Sequence, residues 1–421
     1  MESVVDMSIN VAVCGLGFVG LTTALGFADK GFEVCGYDIN MQRAATIKSG
    51  KLPFFEPGLD TALIRNNNKT FFVAETGEEA VKNADAVFFC VGTPCNDDGK
   101  ADLTYMFAAI DAVIDVVKND CVFVMKSTIP PGTVSEEIEP YLSKKGFKGS
   151  LANNPEFLRE GYCWDDFMNA DRIVCGVAEN DERAENLLSA LYKPFNAPVH
   201  FVSYNTAEFI KYLSNSMLAS MISFSNEMSL IADAVGGIEI GKAFKILHED
   251  KRLAGSGIAS YIYPGCGYGG YCLPKDTVAM SAKAKDKGFS PHILDGTIAL
   301  NEQMPEYTAN KIKTAAGETN AKIGILGLSF KPDSDDVRDS SSAKIIKILL
   351  RDGYKNIFAH DPIAKDMFSS EYDLEITYCD TKEDVLELAD VVAVVTAWSE
   401  YKEIRKAYPD KKIIDLRYCL N

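Results

Sequence analysis

The stretch from Ile9 to Asn40, "INVAVCGLGFVGLTTALGFADKGFEVCGYDIN", constrains the fold more than any other part of the chain. A short apolar run, a glycine cluster, a longer apolar run and a second short run read as strand, turn, buried helix and strand. Val11 to Ala28 carries no charge and could suggest a membrane span. Its four glycines and polar flanks fit the strand–turn–helix pattern better. "NADAVFFCVGTP" and "CVFVMKST" add two more apolar strands ending in small polar residues, and alternation with helical segments implies a parallel sheet covered on both faces.

The same order recurs late in the chain. "AKIGILGLSFKP" sets Gly327 against Gly15 and Phe330 against Phe18, "FAHDP" matches "GYDIN", and "LADVVAVVTAW" matches "NADAVFFCVGTP", with "KKIIDLRY" as the closing strand. The fold class expected is therefore α/β, two Rossmann-like doubly wound domains joined by a long central helix. That helix is read in "YNTAEFIKYLSNSMLASMISFSNEMSLIADAVGG", with Asn205 as cap, Glu208 three residues on, and Gly236-Gly237 as the stop. Phe209, Leu213, Met217, Met221, Phe224, Met228 and Ile231 recur every three or four residues as one apolar stripe. About 31 helical residues would run roughly 46 Å, long enough to bridge two domains, and the same stripe could instead be a dimer interface.

Composition narrows the partners. Over 421 residues, 43 basic against 60 acidic side chains give a net charge of −17, which argues against nucleic acid or an anionic membrane. An anionic substrate would need a few well-placed cations working against the overall field. "MESVVDMSIN" lacks the basic flank and apolar core of a secretory leader. Eleven cysteines without a Cys-x-x-Cys pair, and four scattered histidines, read as reduced thiols in a cytoplasm with no metal site.

Gly15, Gly17 and Gly20 form G-x-G-x-x-G between a strand and a helix, where the backbone can approach a pyrophosphate at the helix N-terminus. Asp38 closes the second strand 18 residues beyond Gly20, placed to accept hydrogen bonds from an adenosine ribose. An acid there repels a 2′-phosphate, so NAD rather than NADP is the expected cofactor. In the late repeat the counterparts of Gly17 and Gly20 are Ser329 and Pro332, with Lys331 between them. A pyrophosphate could not approach that turn so closely, although the lysine would still attract an anion.

"PGCGYGGYCLPKD", residues 264–276, puts Cys272 after a glycine-rich loop and beside Lys275 and Asp276. A cysteine often merely packs as a small apolar residue. Here the cation favours a thiolate, and the loop glycines would allow close passage against a ligand.

With these residues the sequence resembles the UDP-glucose/GDP-mannose dehydrogenase family of nucleotide-sugar dehydrogenases, from about residue 9 to residue 418. Eight motifs stand in the family's order: "GLGFVG", "FEPGL", "VGTP…DDGKADLTYM", "KSTIPPGT", "NNPEFLREG", "AEFIKYLSNS", "GYGGYCLPKD" and "GLSFKPDSDDVRDSS". The resemblance implies four-electron oxidation of a sugar C6 alcohol to a carboxylate, through a thiohemiacetal and a thioester on Cys272. UDP-glucose is the first expected substrate, with GDP-mannose or an N-acetylated UDP-hexosamine as the alternative. It implies Lys211 and Asn215 at the C6 oxyanion, Asp276 as base with a water held by Thr128, and Glu156 in thioester hydrolysis. Glu160 is read one helical turn beyond Glu156, near the cofactor and the substrate.

For the cofactor it adds Phe18, Val19, Arg43, Thr93, Pro94, Thr128, Lys275 and Arg338. For the substrate it adds Phe157, Leu158, Tyr268, Gly269, Lys331 and Arg417, with Arg252 reaching the substrate of a neighbouring subunit in a homodimer or higher homo-oligomer. Tyr271, Leu273 and Leu416 stand where many members carry serine, phenylalanine and glycine. Three parts are expected: an NAD-binding domain over 1–203, a central helical region with the cysteine loop over 204–317, and a nucleotide-sugar domain over 318–421. Competing expectations are a two-electron hydroxyacid dehydrogenase and a catalytically idle NAD-binding regulator.

Overall fold

Five short strands set out the core of the amino-terminal half: β1 (Asn10–Cys14), β2 (Glu33–Tyr37), β3 (Phe71–Val73), β4 (Ala86–Phe89) and β5 (Val122–Met125). A computed structural model describes residues 9–96 and 98–421. The first eight residues, on which the leader expectation chiefly rests, and Asp97 of the "DDGK" motif lie outside the described residues. The strands continue through β6 (Ser150–Asn153), β7 (Ile173–Val177) and β8 (Val199–Val202), and the sheet order is β3-β2-β1-β4-β5-β6-β7-β8. Neighbouring strands are parallel except β6 and β7, where Ala152 opposes Val177 in an antiparallel pair.

Side chains alternate between two cores. Val11, Val13, Phe88, Val122 and Val124 pack on one face with Leu21, Leu25 and Phe27. Ala12, Cys14, Val87, Phe89, Phe123 and Met125 pack on the other. Burial on both faces explains why these strands read as continuous apolar runs.

The chain divides into two units, one ending at Leu213 and the other running Ser214–Asn421. The second unit has its own sheet: β9 (Ile323–Leu326), β10 (Ile357–His360), β11 (Thr377–Tyr378), β12 (Val391–Val394) and β13 (Lys412–Asp415), ordered β11-β10-β9-β12-β13 and all parallel. Both sheets thus reverse direction beside their first strand, and in such folds ligands bind at the carboxyl ends of the strands at that switch point. The repeat reaches single atoms. Leu16 N donates to Asp38 at 2.7 Å, and its counterpart Leu328 N donates to Asp361 at 2.8 Å.

The helix Tyr204–Val235 crosses the division as a single 32-residue element. Two details differ from the sequence expectation. Ser203 caps it, its hydroxyl receiving Thr206 N at 3.3 Å, while Asn205 accepts from Ser135 Oγ. Glu208 is no partner in a capping box. It is buried and takes Gly132 N at 2.6 Å and Val134 N at 2.8 Å, fastening the "KSTIPPGT" loop to the helix.

The apolar stripe also faces the other way from a core helix. Phe209, Leu213, Met217, Phe224 and Ile231 are exposed, whereas Glu208, Lys211, Asn215, Ser223, Asn226 and Ser229 are buried. No described helix is long and apolar enough to cross a membrane.

Candidate active site

In the first unit the glycine turn is built by close approach. Gly15 holds φ +93°, and a Cβ there would meet Cys90 O at 2.7 Å. A Cβ on Gly20 would lie 1.8 Å from Gly15 O, so this glycine locks the helix Phe18–Asp29 onto the turn. Gly17 differs, since nothing lies within 4 Å of a Cβ built on it and no side chain caps the helix it opens.

An open helix N-terminus with free space over its middle glycine fits a pyrophosphate. Asp38, almost fully buried, anchors the turn through Leu16 N, takes Asn40 N at 2.8 Å, and pairs with Arg43 Nη1 at 3.1 Å. Phe18 stacks on Phe54 at 3.9 Å, and Val19 O accepts from Thr23 Oγ1. Thr93 Oγ1 donates to Thr128 O at 2.8 Å, joining "VGTP" to "KST", while Pro94 O accepts Asp102 N at 2.7 Å. These residues fit NAD.

The second unit's turn does not repeat this. Asp361 takes Leu328 N, Ser329 N, Ser329 Oγ and Trp398 Nε1 on one oxygen, and Ile363 N and Ala364 N on the other. No capacity is left for a ribose.

The first unit also carries a buried ion pair. Glu156 Oε1 lies 2.9 Å from Lys211 Nζ, and its other oxygen takes Leu158 N at 2.6 Å. Burial works against the Glu156 carboxylate, but Lys211, the Leu158 amide and nearby Lys126 outweigh it and hold the carboxyl below its ordinary value. Phe157 lies under Arg172 at 4.5 Å and near Lys211 at 5.7 Å. Residues 154–159 form no helix, so Glu160 is not one helical turn beyond Glu156. Pro155 disfavours helical geometry at Asn154, and the Glu156 carboxylate captures a main-chain N–H two residues on. Glu160 is half-buried in the turn that follows.

Sequence reasoning assigned no role to Lys126 or Glu56. Lys126 is buried and donates to Asn154 Oδ1 at 2.8 Å, and burial pulls its pKa down to about 8. Glu56 of "FEPGL" receives Gly161 N and Cys163 N, both at 2.8 Å, bracing the turn that carries Glu160. A lone acid 105 positions from its partner leaves no local signal.

In the second unit Cys272 opens the helix Cys272–Asp286, with Tyr271 at its N-cap. A thiol at a helix N-terminus is placed where a thiolate is favoured. Asp276, fully buried, is held from two sides, by Lys275 Nζ at 2.6 Å and by Asn215 Nδ2 of the long helix at 2.6 Å. Burial opposes the Lys275 charge, but Asp276 and the Cys272 sulfur outweigh it and keep the ammonium above its ordinary value.

The loop before Cys272 hangs on two asparagines that the sequence did not reveal. Asn301 grips Tyr268 by both main-chain groups, at 2.7 and 3.0 Å, and Asn226 Oδ1 takes Gly265 N at 2.7 Å. Tyr268 is buried, and a Cβ on Gly269 would strike Asp339 O at 2.4 Å. Arg417 faces Gly265, where a Cβ would be 2.4 Å from Nη1. Lys331 Nζ lies 5.4 Å from the Phe330 ring, and Arg338 pairs with Asp336 at 2.7 Å. Arg252 stands apart, its side chain 87% exposed and its guanidinium on Asp250, two residues back. Among the described residues no group of three or more His, Cys, Asp or Glu side chains could hold a metal ion.

A dinucleotide cradle in one nucleotide-binding fold, a second such fold closed to a dinucleotide, and a thiol beside a buried Lys–Asp–Asn cluster define an NAD-dependent nucleotide-sugar dehydrogenase. Residues 9–196, 205–303 and 324–421 match the NAD binding, central and UDP binding domains of the UDP-glucose/GDP-mannose dehydrogenase family, and the chain belongs to that family. A UDP-glucose 6-dehydrogenase of Rickettsia conorii is 37% identical over 428 residues, 98% of this chain and 96% of that protein. One from Pseudomonas aeruginosa is 34% identical over 413 residues, 94% of this chain and 89% of that protein. A solved UDP-glucose dehydrogenase from Pyrobaculum islandicum superposes with a TM-score of 0.93 at 36% identity, over 100% of this chain and 96% of that one.

Proposed function

We propose that this chain oxidises UDP-glucose to UDP-glucuronate in two successive two-electron steps. The observation that carries the proposal is Cys272 at a helix N-terminus, beside an Asp276 already held by Lys275 and Asn215. The names of its relatives support UDP-glucose as the sugar. NAD, when held by Gly15, Gly17, Gly20, Asp38, Arg43 and Thr93, supplies a hydride acceptor for each oxidation.

The remaining chemistry falls to side chains. Asp276 takes the C6 hydroxyl proton through a water held by Thr128, while Lys211 and Asn215, one helical turn apart, stabilise negative charge on that oxygen. The Cys272 sulfur adds to the aldehyde carbon, forming a C–S bond and a thiohemiacetal that cannot diffuse away. Loss of the second hydride leaves a thioester. Water guided by Glu156 then breaks the C–S bond, releasing the carboxylate and restoring the thiol. Tyr268, Lys331 and Arg417 would hold the nucleotide, in a working division of the chain into 1–203, 204–317 and 318–421.

Purified protein with UDP-glucose should form two NADH per sugar consumed. One NADH per sugar, or turnover of GDP-mannose without UDP-glucose, overturns the assignment. Cys272→Ser should release no free acid at a normal rate.

The exposed stripe on the long helix supports a second copy of this chain as its cover, since five large apolar side chains on one face are exposed among the described residues. We propose a homodimer on this face, in a cytoplasmic enzyme whose eleven cysteines are all free.

A further inference from the structure

Tyr271 departs from the serine common in the family, and its surroundings give it work. Its half-buried ring has two cations over it, with Arg338 Cζ at 4.7 Å and Lys275 Nζ at 5.7 Å from the ring centre. Arg338 is fastened to the same loop a second time, because its main-chain oxygen accepts Gly270 N at 3.0 Å. Neither cation is unopposed. Asp336 holds the Arg338 guanidinium at 2.9 and 2.7 Å, and Asp276 holds Lys275 at 2.6 Å. Lys275 and Cys272 are three residues apart on one helix and therefore neighbours. An aromatic face that attracts two cations fixes where both charges sit relative to the residue that follows it.

We propose that Tyr271 is a positioning residue for Cys272, its ring docking Arg338 on the nucleophile loop and keeping Lys275 turned toward the sulfur, so that the thiolate is favoured. Serine at this position could do neither. The proposal rests on Cys272 being the nucleophile, but its test needs no substrate.

The rate of Cys272 alkylation by iodoacetamide at neutral pH, followed by peptide mass spectrometry on the full chain, reads thiolate availability directly. Tyr271→Phe keeps the ring and should alkylate within about twofold of wild type, while Tyr271→Ser should slow about five- to tenfold. Arg338→Ala should slow as well, and the double variant should be no slower than Tyr271→Ser alone, because both act through one contact. Wild-type alkylation in Tyr271→Ser overturns the proposal, as does Tyr271→Phe slowing as much as Tyr271→Ser. Should Tyr271→Ser melt early, Arg338→Ala tests the contact from its other side, and an unslowed rate there overturns it. Failure of the nucleophile assignment shows separately, as free acid released by Cys272→Ser.

Discussion

Gly17 and Gly20 stand three positions apart in one turn yet answer to different constraints. Gly17 has φ −74° and open space around a Cβ, so Gly17→Ala should melt like wild type while the KM for NAD rises about tenfold. Gly20→Ala forces a Cβ against Gly15 O and should cost about 2–3 kcal/mol of stability, measured by denaturant unfolding. Equal NAD affinity in Gly17→Ala would remove that glycine from the cradle. Lys126 makes a prediction with a pH signature. Its folded pKa is about 8 against roughly 10.4 unfolded, so the unfolded chain binds the extra proton between those values and wild-type stability rises with pH across that window. Lys126→Met should therefore be more stable than wild type at pH 7 by about 1–3 kcal/mol, with the advantage shrinking from pH 8 to 10. Tyr192 still donates to Asn154 in that variant, which keeps the amide oxygen paired. An advantage that grows with pH would contradict the assignment.

The long helix shows where the sequence was legible and where it was not. Its existence, length and stripe followed from spacing alone, because periodicity reports which residues share a face. It does not report which face is turned inward. Here the buried side is polar, since Glu208 pairs with amides near residue 132 and Asn215 with Asp276, partners far away in sequence. The glycine turn and Asp38 were readable because their partners are local. Asn301, Asn226 and Glu56 were not, for the opposite reason. If the outward stripe is covered by a second copy, Phe224→Glu should halve the sedimenting mass while leaving the thermal unfolding of the helix-bearing chain cooperative. Unchanged sedimentation would place self-association elsewhere.

For the molecule as a unit, a net charge of −17 acts on an anionic substrate before any contact forms. Salt screens that repulsion over a Debye length of about 8 Å at physiological ionic strength, so kcat/KM for the nucleotide sugar should rise modestly from low to moderate salt. A steep fall would mean that the local cations dominate the approach. The doubled architecture carries a further lesson for redesign. Placing glycine at 329 and 332 would remove only the Ser329 hydroxyl from Asp361, whose carboxylate would still be occupied by main-chain donors and the Trp398 indole, leaving the carboxyl-terminal fold unable to accept a dinucleotide. Conversion would require excavating the indole first, so the two halves are not interchangeable sockets.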